Sequence, residues 1–315
     1  MANATVSFLG QTNSSGDANA LFLKVFAGEV LASFQRQNKM LPLTTVRSIS
    51  QGKSAQFPLV GLASAEYHTA GAEINGTAIK HAERVITIDD LLISHAFISN
   101  IDEAKNHYDV RSIYSQELGS ALAKKLDQNL IQLAVLGARA GATVTGIGAA
   151  NAITDSDAHT NASSFVDSIY EAAQIMDEND VPDDDRYCVM TPDQYYLALT
   201  NDKSINRDFG GTGNFQEGSI LRIAGMNIVK SNSAVSAFTD LSSASTTGQN
   251  NTYRGNFSTT VAVCFHKSAV GTVKLLDLAM ESERDARRQG TLMVAKMAVG
   301  SNYLRSESAV EIKKS

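Results

Sequence analysis

One stretch constrains the fold more than any other. Between Asp102 and Gly137, the residues Val110, Ile113, Tyr114, Leu118, Ala121, Leu122, Leu126, Leu130, Leu133 and Leu136 recur at intervals of three and four. That spacing puts apolar side chains on one face of an α-helix. At 1.5 Å per residue, a helix of about 28 residues is about 42 Å long, a spine rather than a surface decoration. Gly137 and Gly141 supply its stop. A second helix is predicted over 163–177, with Phe165, Ile169, Ala173 and Met176 inward, then a strand at 187–190. Thr191-Pro192-Asp193-Gln194 reads as a capping box with proline at the first helical position. A strand pair at 220–223 and 226–229 completes a compact α/β subdomain. The chain closes on strands at 261–266, 270–278, 292–299 and 309–312. A helix-rich middle and a strand-rich end predict an α+β fold whose last strands pack on the spine.

The segments before the spine are harder to bury. Residues 1–20 are small and polar and read as a mobile tail. Leu21, Phe22, Val25, Phe26, Val30, Leu31 and Phe34 then fall at helical spacing. Strand-like runs occupy 46–60 and 84–92. Between them lie more than twenty weakly apolar residues with Gly61, Gly71 and Gly76. Such a segment forms a long extended hairpin loop that cannot bury much of itself, so it needs a partner surface. Residues 231–258, rich in Ser, Thr, Asn and Gly, read as a loop or flexible insertion.

Composition narrows the function. Only 19% of residues are charged, against about 25% in typical globular chains, so small polar side chains cover an unusual share of the surface. The net charge of −6 argues against a chain built to grip nucleic-acid phosphates. The charge is uneven: 161–230 hold five basic and twelve acidic residues, 231–315 ten and seven. Parts of one copy could therefore complement parts of another. Cys188 and Cys264 sit in apolar runs without a second thiol or histidine at metal-ligand spacing, as buried free thiols in a reducing compartment do. The stretch 20–31 carries Lys24 and Glu29, so it neither spans a membrane nor directs secretion. A soluble, cytoplasmically made product is expected.

Tests for chemistry fail one after another. Gly52-Lys53-Ser54 imitates the end of a phosphate loop, but Arg47 stands where that loop needs its first glycine. Gly210-Gly211-Thr212-Gly213 and the trio Gly141, Gly146, Gly148 do not make a dinucleotide fingerprint. The six histidines are each more than ten residues from the next, so no paired metal ligands arise. The acidic run from Asp177 to Asp185 lacks the spacing and glycine of a calcium loop and reads as a solvated helix end and turn. No catalytic residue, cofactor or metal is expected.

Several unbroken strings are similar to the major capsid protein of short-tailed, T-seven-like (autographivirus) bacteriophages: ALFLKVFAGEVL at 20–31, VRSISQGKSAQFPLVG at 46–61, IKHAERVITIDDLL at 79–92, NHYDVRSIY at 106–114 and FHKSAVGTVKLLDLAMESER at 265–284. The tail LMVAKMAVG at 292–300 also fits, whereas 140–260 matches only in layout. The resemblance implies the Hong Kong 97 type of capsid fold. Residues 1–45 would be the N-terminal arm, 46–92 the extended loop, 93–159 a peripheral domain with the spine helix, 160–260 an axial domain, and 261–315 a return to the peripheral domain. It implies pentamers and hexamers of this chain closing into an icosahedral shell around double-stranded DNA. Its partners would be further copies, a scaffolding protein, a portal and, as a further class, decoration proteins. Assembly would take place in the host cytoplasm and the product would be the virion. Assembly-interface candidates are Lys53 and Phe57 in the loop, Asp89 and Asp90 at its base, Arg111 and Glu117 on the spine, and Arg284, Arg287 and Arg288 beside Glu281, Glu283 and Asp285. Two other readings remain open here: an encapsulin-like nanocompartment shell of the same fold, and a cytoplasmic α+β enzyme using scattered residues such as His107, Asp109 and His266.

Overall fold

The computed structural model describes residues 38–71, 73–101, 110–144, 151–201 and 222–315, with the side chains of 110–113, 115, 116 and 280 outside that set. The helix expected at 20–34, the start of the spine at 102–109, and the glycine run at 210–213 lie outside the described residues. So do His107 and Asp109. Twelve strands and four α-helices are described, an α+β arrangement. Strands β1 (Thr45–Ser48), β2 (Ser54–Val60), β3 (His81–Thr87) and β4 (Leu92–Ser99) precede the spine α1 (Val110–Arg139). After it come β5 (Ala152–Thr154), α2 (Ala162–Glu178), β6 (Arg186–Met190), α3 (Pro192–Leu199), β7 (Arg222–Ile223), β8 (Met226–Lys230) and α4 (Ser233–Ala237). The chain ends with β9 (Thr260–His266), β10 (Val270–Asp285), β11 (Gly290–Tyr303) and β12 (Ala309–Lys313). The strands pair as β1-β10-β11-β4, as β5-β12-β9-β6-β8-β7, and as the separate pair β2-β3. The strands of 261–315 are thus shared between two sheets.

The chain forms two compact units. One holds 89–126 and 276–299, the other 39–88, 127–275 and 300–315. In the first, β4 pairs antiparallel with β11 from Gly290↔Ser99 to Met297↔Leu92. Met293, Ala295 and Met297 alternate inward along β11, the period of a strand with one buried face. In the same unit Leu118, Leu122 and Leu126 form a buried row on α1 at four-residue spacing.

The second unit carries the main core. From Leu130 onward the spine is buried nearly all round, since Leu130, Ile131, Leu133, Ala134, Val135 and Ala138 are all inaccessible. Phe165, Ile169 and Met176 of α2 lie on one side of the six-stranded sheet, against Cys188, Met190, Ala262, Cys264, Val310 and Ile312. Fully burying each such large side chain stabilises the fold by about 1.5–3 kcal/mol. The opposite side meets the end of the spine: a Cβ on Gly137 would stand 3.2 Å from Tyr303 Cβ and 4.0 Å from Ala309 Cβ. Covered on both faces, β9 is buried at six successive positions, with no alternation to mark it as a strand. The last strands therefore pack on two helices, not on the spine alone.

Local chemistry sets the element ends. Asn161 Oδ1 accepts the Ser163 N–H at 2.9 Å and starts α2. The helix ends with Asp180 at φ 54°, the Asp180 N–H on the Asp177 carbonyl, and the Val181 N–H on the Met176 carbonyl, both at 3.0 Å. The acidic run that follows is organised by Arg186, a 4%-exposed side chain that reaches Asp177 at 2.7 Å and Asp183 at 3.0 Å. Thr191 Oγ1 caps α3 by accepting the Gln194 N–H at 3.4 Å. The reciprocal half of the expected capping box does not form, because Gln194 Nε2 turns to the His159 carbonyl at 3.3 Å. The polar stretch 231–258 holds α4 and then a loop that is anchored at its far end. Tyr253 and Phe257 are buried, and the Tyr253 hydroxyl accepts the Ser301 N–H at 3.0 Å.

Candidate assembly surfaces

The hairpin β2-β3 runs in register from Ser54↔Thr87 to Val60↔His81. Beyond it the connection has no helix or strand, and every described residue of 62–80 is exposed. Apolar side chains take part in this: Leu62 is 66% exposed, Ile74 78%, and Tyr67 fully. Nothing within the unit covers them, because a two-stranded ribbon has no second layer. Sequence reasoning placed the loop but did not single out these residues; large apolar side chains isolated among Ala, Gly, Ser and Thr were the available signal.

The root of the hairpin is held firmly. The Ile88 N–H donates to the Lys53 carbonyl at 2.9 Å, and the side-chain amides of Asn250 and Asn251 donate to the Ile88 and Thr87 carbonyls at 2.7 and 2.6 Å. Gly300 passes so close that a Cβ there would lie 2.1 Å from the Thr87 oxygen. Beside the root lies an open groove of about 610 Å³ whose walls include Arg47, Gln56, Pro58, Glu83 and Val85. Within that lining Arg47 Nη1 donates to the Gln56 carbonyl at 3.0 Å.

The nine sequence-derived candidates fall in both units. Lys53 is exposed in the turn before β2, next to Gly52 at φ 115°. Phe57 is half-buried, paired with Arg84 across the hairpin, with the Arg47 guanidinium 6.0 Å from its ring centre. Asp89 is half-buried and its N–H meets the Val299 carbonyl at 3.3 Å, while Asp90 is exposed. Arg111 lies on α1 and its side chain is outside the described set; Glu117 is exposed two turns later. Arg284, Arg287 and Arg288 come together at the exposed tip of the β10-β11 hairpin. There the Arg287 and Arg288 N–H groups donate to Asp285 Oδ1, and Arg288 Nη1 stands 3.5 Å from Asp285 Oδ2. Glu281 instead pairs with Lys296 along the same hairpin. These pairs are exposed and contribute about 0–1 kcal/mol each.

Two buried carboxylates were not apparent from sequence. Glu311, wholly inaccessible in β12, receives Arg139 Nε at 2.7 Å, Arg139 Nη2 at 2.6 Å and Thr260 Oγ1 at 2.6 Å. The hydrogen bond to Glu311 holds the Arg139 guanidinium above its usual range. Asp127, 3% exposed on the spine, accepts the backbone N–H groups of Lys39 and Met40 at 3.1 Å each. It thereby fixes the first described residues of the chain. Burial raises its pKa against the opposing pull of those two N–H groups. Cys188 and Cys264 are free, buried and opposite one another in the β6-β9 pair; their mutual hydrogen bond and burial push the Cys264 thiol up. Among the described residues no group of three His, Cys, Asp or Glu side chains could hold a metal ion, and no helix is long and apolar enough to cross a membrane.

Comparison with known proteins gives one consistent answer. The family model described as Gp10A-like, major capsid protein, matches residues 56–313. The chain is 34% identical to the major capsid protein of Escherichia phage T7, over 94% of this chain and 92% of that one. It superimposes on the capsid structure of the cyanophage P-SCSP1u with a TM-score of 0.82 and 44% identity, covering 100% of this chain and 99% of that one. The mature capsid of bacteriophage PhiM1 shares the fold at a TM-score of 0.73 and 20% identity, over 98% and 97% of the two chains.

Proposed function

The chain belongs to the Gp10A-like family of major capsid proteins, and from that premise we propose that its copies associate as pentamers and hexamers into an icosahedral shell enclosing double-stranded DNA. Major capsid proteins are structural components of the virion, not enzymes, and the phage relatives favour a phage shell over a nanocompartment. The observation that carries the assembly reading is the hairpin connection 62–80. It exposes Leu62, Tyr67 and Ile74 from a ribbon that has no core of its own. Burying these residues against a neighbouring copy removes apolar area from water at about 25 cal/mol per Å². Repetition around closed rotational symmetry uses the same contact on every copy.

In this reading residues 1–45 are an arm, 46–92 the extended loop and 160–260 an axial domain. A scaffolding protein directs curvature during assembly in the host cytoplasm, a portal occupies one vertex, and decoration proteins bind outside. Lys53, Phe57, Asp89, Asp90, Arg111, Glu117, Arg284, Arg287 and Arg288 contribute contacts between copies. The net charge of −6 keeps the inner wall from binding the genome tightly.

Electron microscopy of the purified chain, with and without a coexpressed scaffolding protein, tests this. Closed shells with five- and six-fold clusters are expected in the presence of scaffold. A chain that stays monomeric under both conditions refutes the assembly reading, and uniform shells without scaffold refute the need for that partner.

A further inference from the structure

Asn75-Gly76 is the sole Asn-Gly pair in the sequence. It lies in the β2-β3 connection, where residues 73–80 have no regular structure and are all exposed. A Cβ built on Gly76 would meet nothing within 4 Å. Asparagine before glycine is chemically distinctive. Without a Cβ on the second residue, its backbone nitrogen can swing onto the side-chain carbonyl carbon of the first.

Among the described residues, the asparagines that precede Ala or Ser are held away from that geometry. Asn161, before Ala162, has its Oδ1 on the Ser163 N–H at 2.9 Å. Asn151, before Ala152, donates Nδ2 to the Glu307 and Ala309 carbonyls at 3.4 and 3.2 Å. Asn232 precedes Ser233, whose own N–H is already engaged by Ser231 Oγ at 3.2 Å. Asn75 alone among these combines a glycine successor, an exposed position and irregular backbone.

We propose that Asn75 is a site of spontaneous covalent modification, in which the side-chain amide becomes a carboxylate through a cyclic imide. The Gly76 nitrogen attacks Asn75 Cγ and a new N–C bond forms. The Cγ–Nδ2 bond breaks, and the departing amide takes up the Gly76 proton and leaves as ammonia. Water then opens the imide at either carbonyl, giving aspartate or the isomer whose backbone runs through the side chain. Nitrogen is exchanged for oxygen with no oxidant, and one negative charge appears. Residues 61–81 hold Glu66, Glu73 and Lys80, so their formal charge goes from −1 to −2. An extension rests on the assembly reading above: where the loop lies against a neighbouring copy the backbone swing is blocked, so the modified fraction records the time a subunit spends outside a shell.

The test uses the full chain, incubated in warm, mildly alkaline buffer and digested with trypsin, which releases 54–80 as one peptide. Mass spectrometry reads the acid form, and isoaspartyl methyltransferase labels the isomer. The acid form at Asn75 should accumulate at least about tenfold faster than at Asn151 or Asn161, and Gly76→Val should slow it by about tenfold, because a β-branched successor obstructs the swing. Accumulation at Asn75 no faster than at Asn151 and Asn161, or unchanged by Gly76→Val, overturns the site. Equal rates in unassembled subunits and in shells overturn the extension while upholding the site.

Discussion

Arg139→Met removes the guanidinium from a carboxylate that has no access to water. Glu311 is 0% exposed and keeps only the Thr260 hydroxyl once both Arg139 bonds are lost. Breaking one side of a buried pair costs about 3–5 kcal/mol. The arginine side chain is itself 30% exposed, so water can partly replace it, and the expected loss is about 2–4 kcal/mol. Replacing both members, Arg139→Met with Glu311→Leu, leaves no charge to strand and should fall within about 1 kcal/mol of the parent. The coupling between the two sites is then about 2 kcal/mol or more. Urea unfolding of the unassembled subunit, followed by circular dichroism, gives the measurement. With a slope of about 3 kcal/mol/M the Arg139→Met midpoint falls by about 1 M. A loss under about 0.5 kcal/mol for the single variant, or single effects that simply add in the double, would refute the reasoning.

Three further outcomes follow from the geometry. Gly300→Ala pushes a methyl to within 2.1 Å of the Thr87 carbonyl oxygen, a backbone atom, and should cost about 3 kcal/mol or abolish soluble expression, whereas Gly141→Ala, with nothing within 4 Å, should leave the urea midpoint unchanged. His266 Nδ1 accepts the Ser268 N–H at 3.2 Å, which requires the neutral ring, and burial lowers its pKa. Its stabilisation is therefore fully present above the unfolded value of about 6.5 and is lost as pH falls through the lower folded value. The midpoint gap between the parent and His266→Ala should shrink on acidification, and a gap that widens rules this out. Tyr67→Ser with Ile74→Ser should leave subunit unfolding unchanged while reducing shell yield by electron microscopy; full shell yield would show that these side chains are not buried on assembly.

The sequence was most legible where periodicity and burial coincide. The spine shows because Leu118, Leu122 and Leu126 are buried on one face while Glu117 is not, and α2 for the same reason. Strand ends were less visible. The pattern at 270–278 stops where β10 continues through Glu281, Glu283 and Arg284 to Asp285; these seven further residues are strand because β11 pairs with them, not because they are apolar. Strand β4 is absent from the sequence reading, whose strand-like run stops at Leu92, the residue from which β4 pairs with β11 at Met297↔Leu92. Three-residue β5 and five-residue α4 are too short to carry a period. The charged residues of the loop and hairpin tip could be named as candidates from type alone. Glu311 and Asp127 could not, because their partners stand 172 and 87 positions away and a lone carboxylate in an apolar run carries no sign of its donor.

The same contrast bears on the order of events in assembly. The six-stranded sheet has α2 on one face and the end of the spine on the other, and its buried charge Glu311 is satisfied by Arg139 and Thr260 within the same chain. That buried pair is complete without a neighbour. The hairpin connection is the reverse: its root is fixed by Asn250, Asn251 and the bare Gly300, while its apolar side chains have no cover among the described residues. A rigid root under an unsatisfied tip loses little conformational entropy on docking compared with a loop free at both ends, so more of the apolar gain survives as association energy. The low charged fraction serves the same end, because interface cores are depleted in charge.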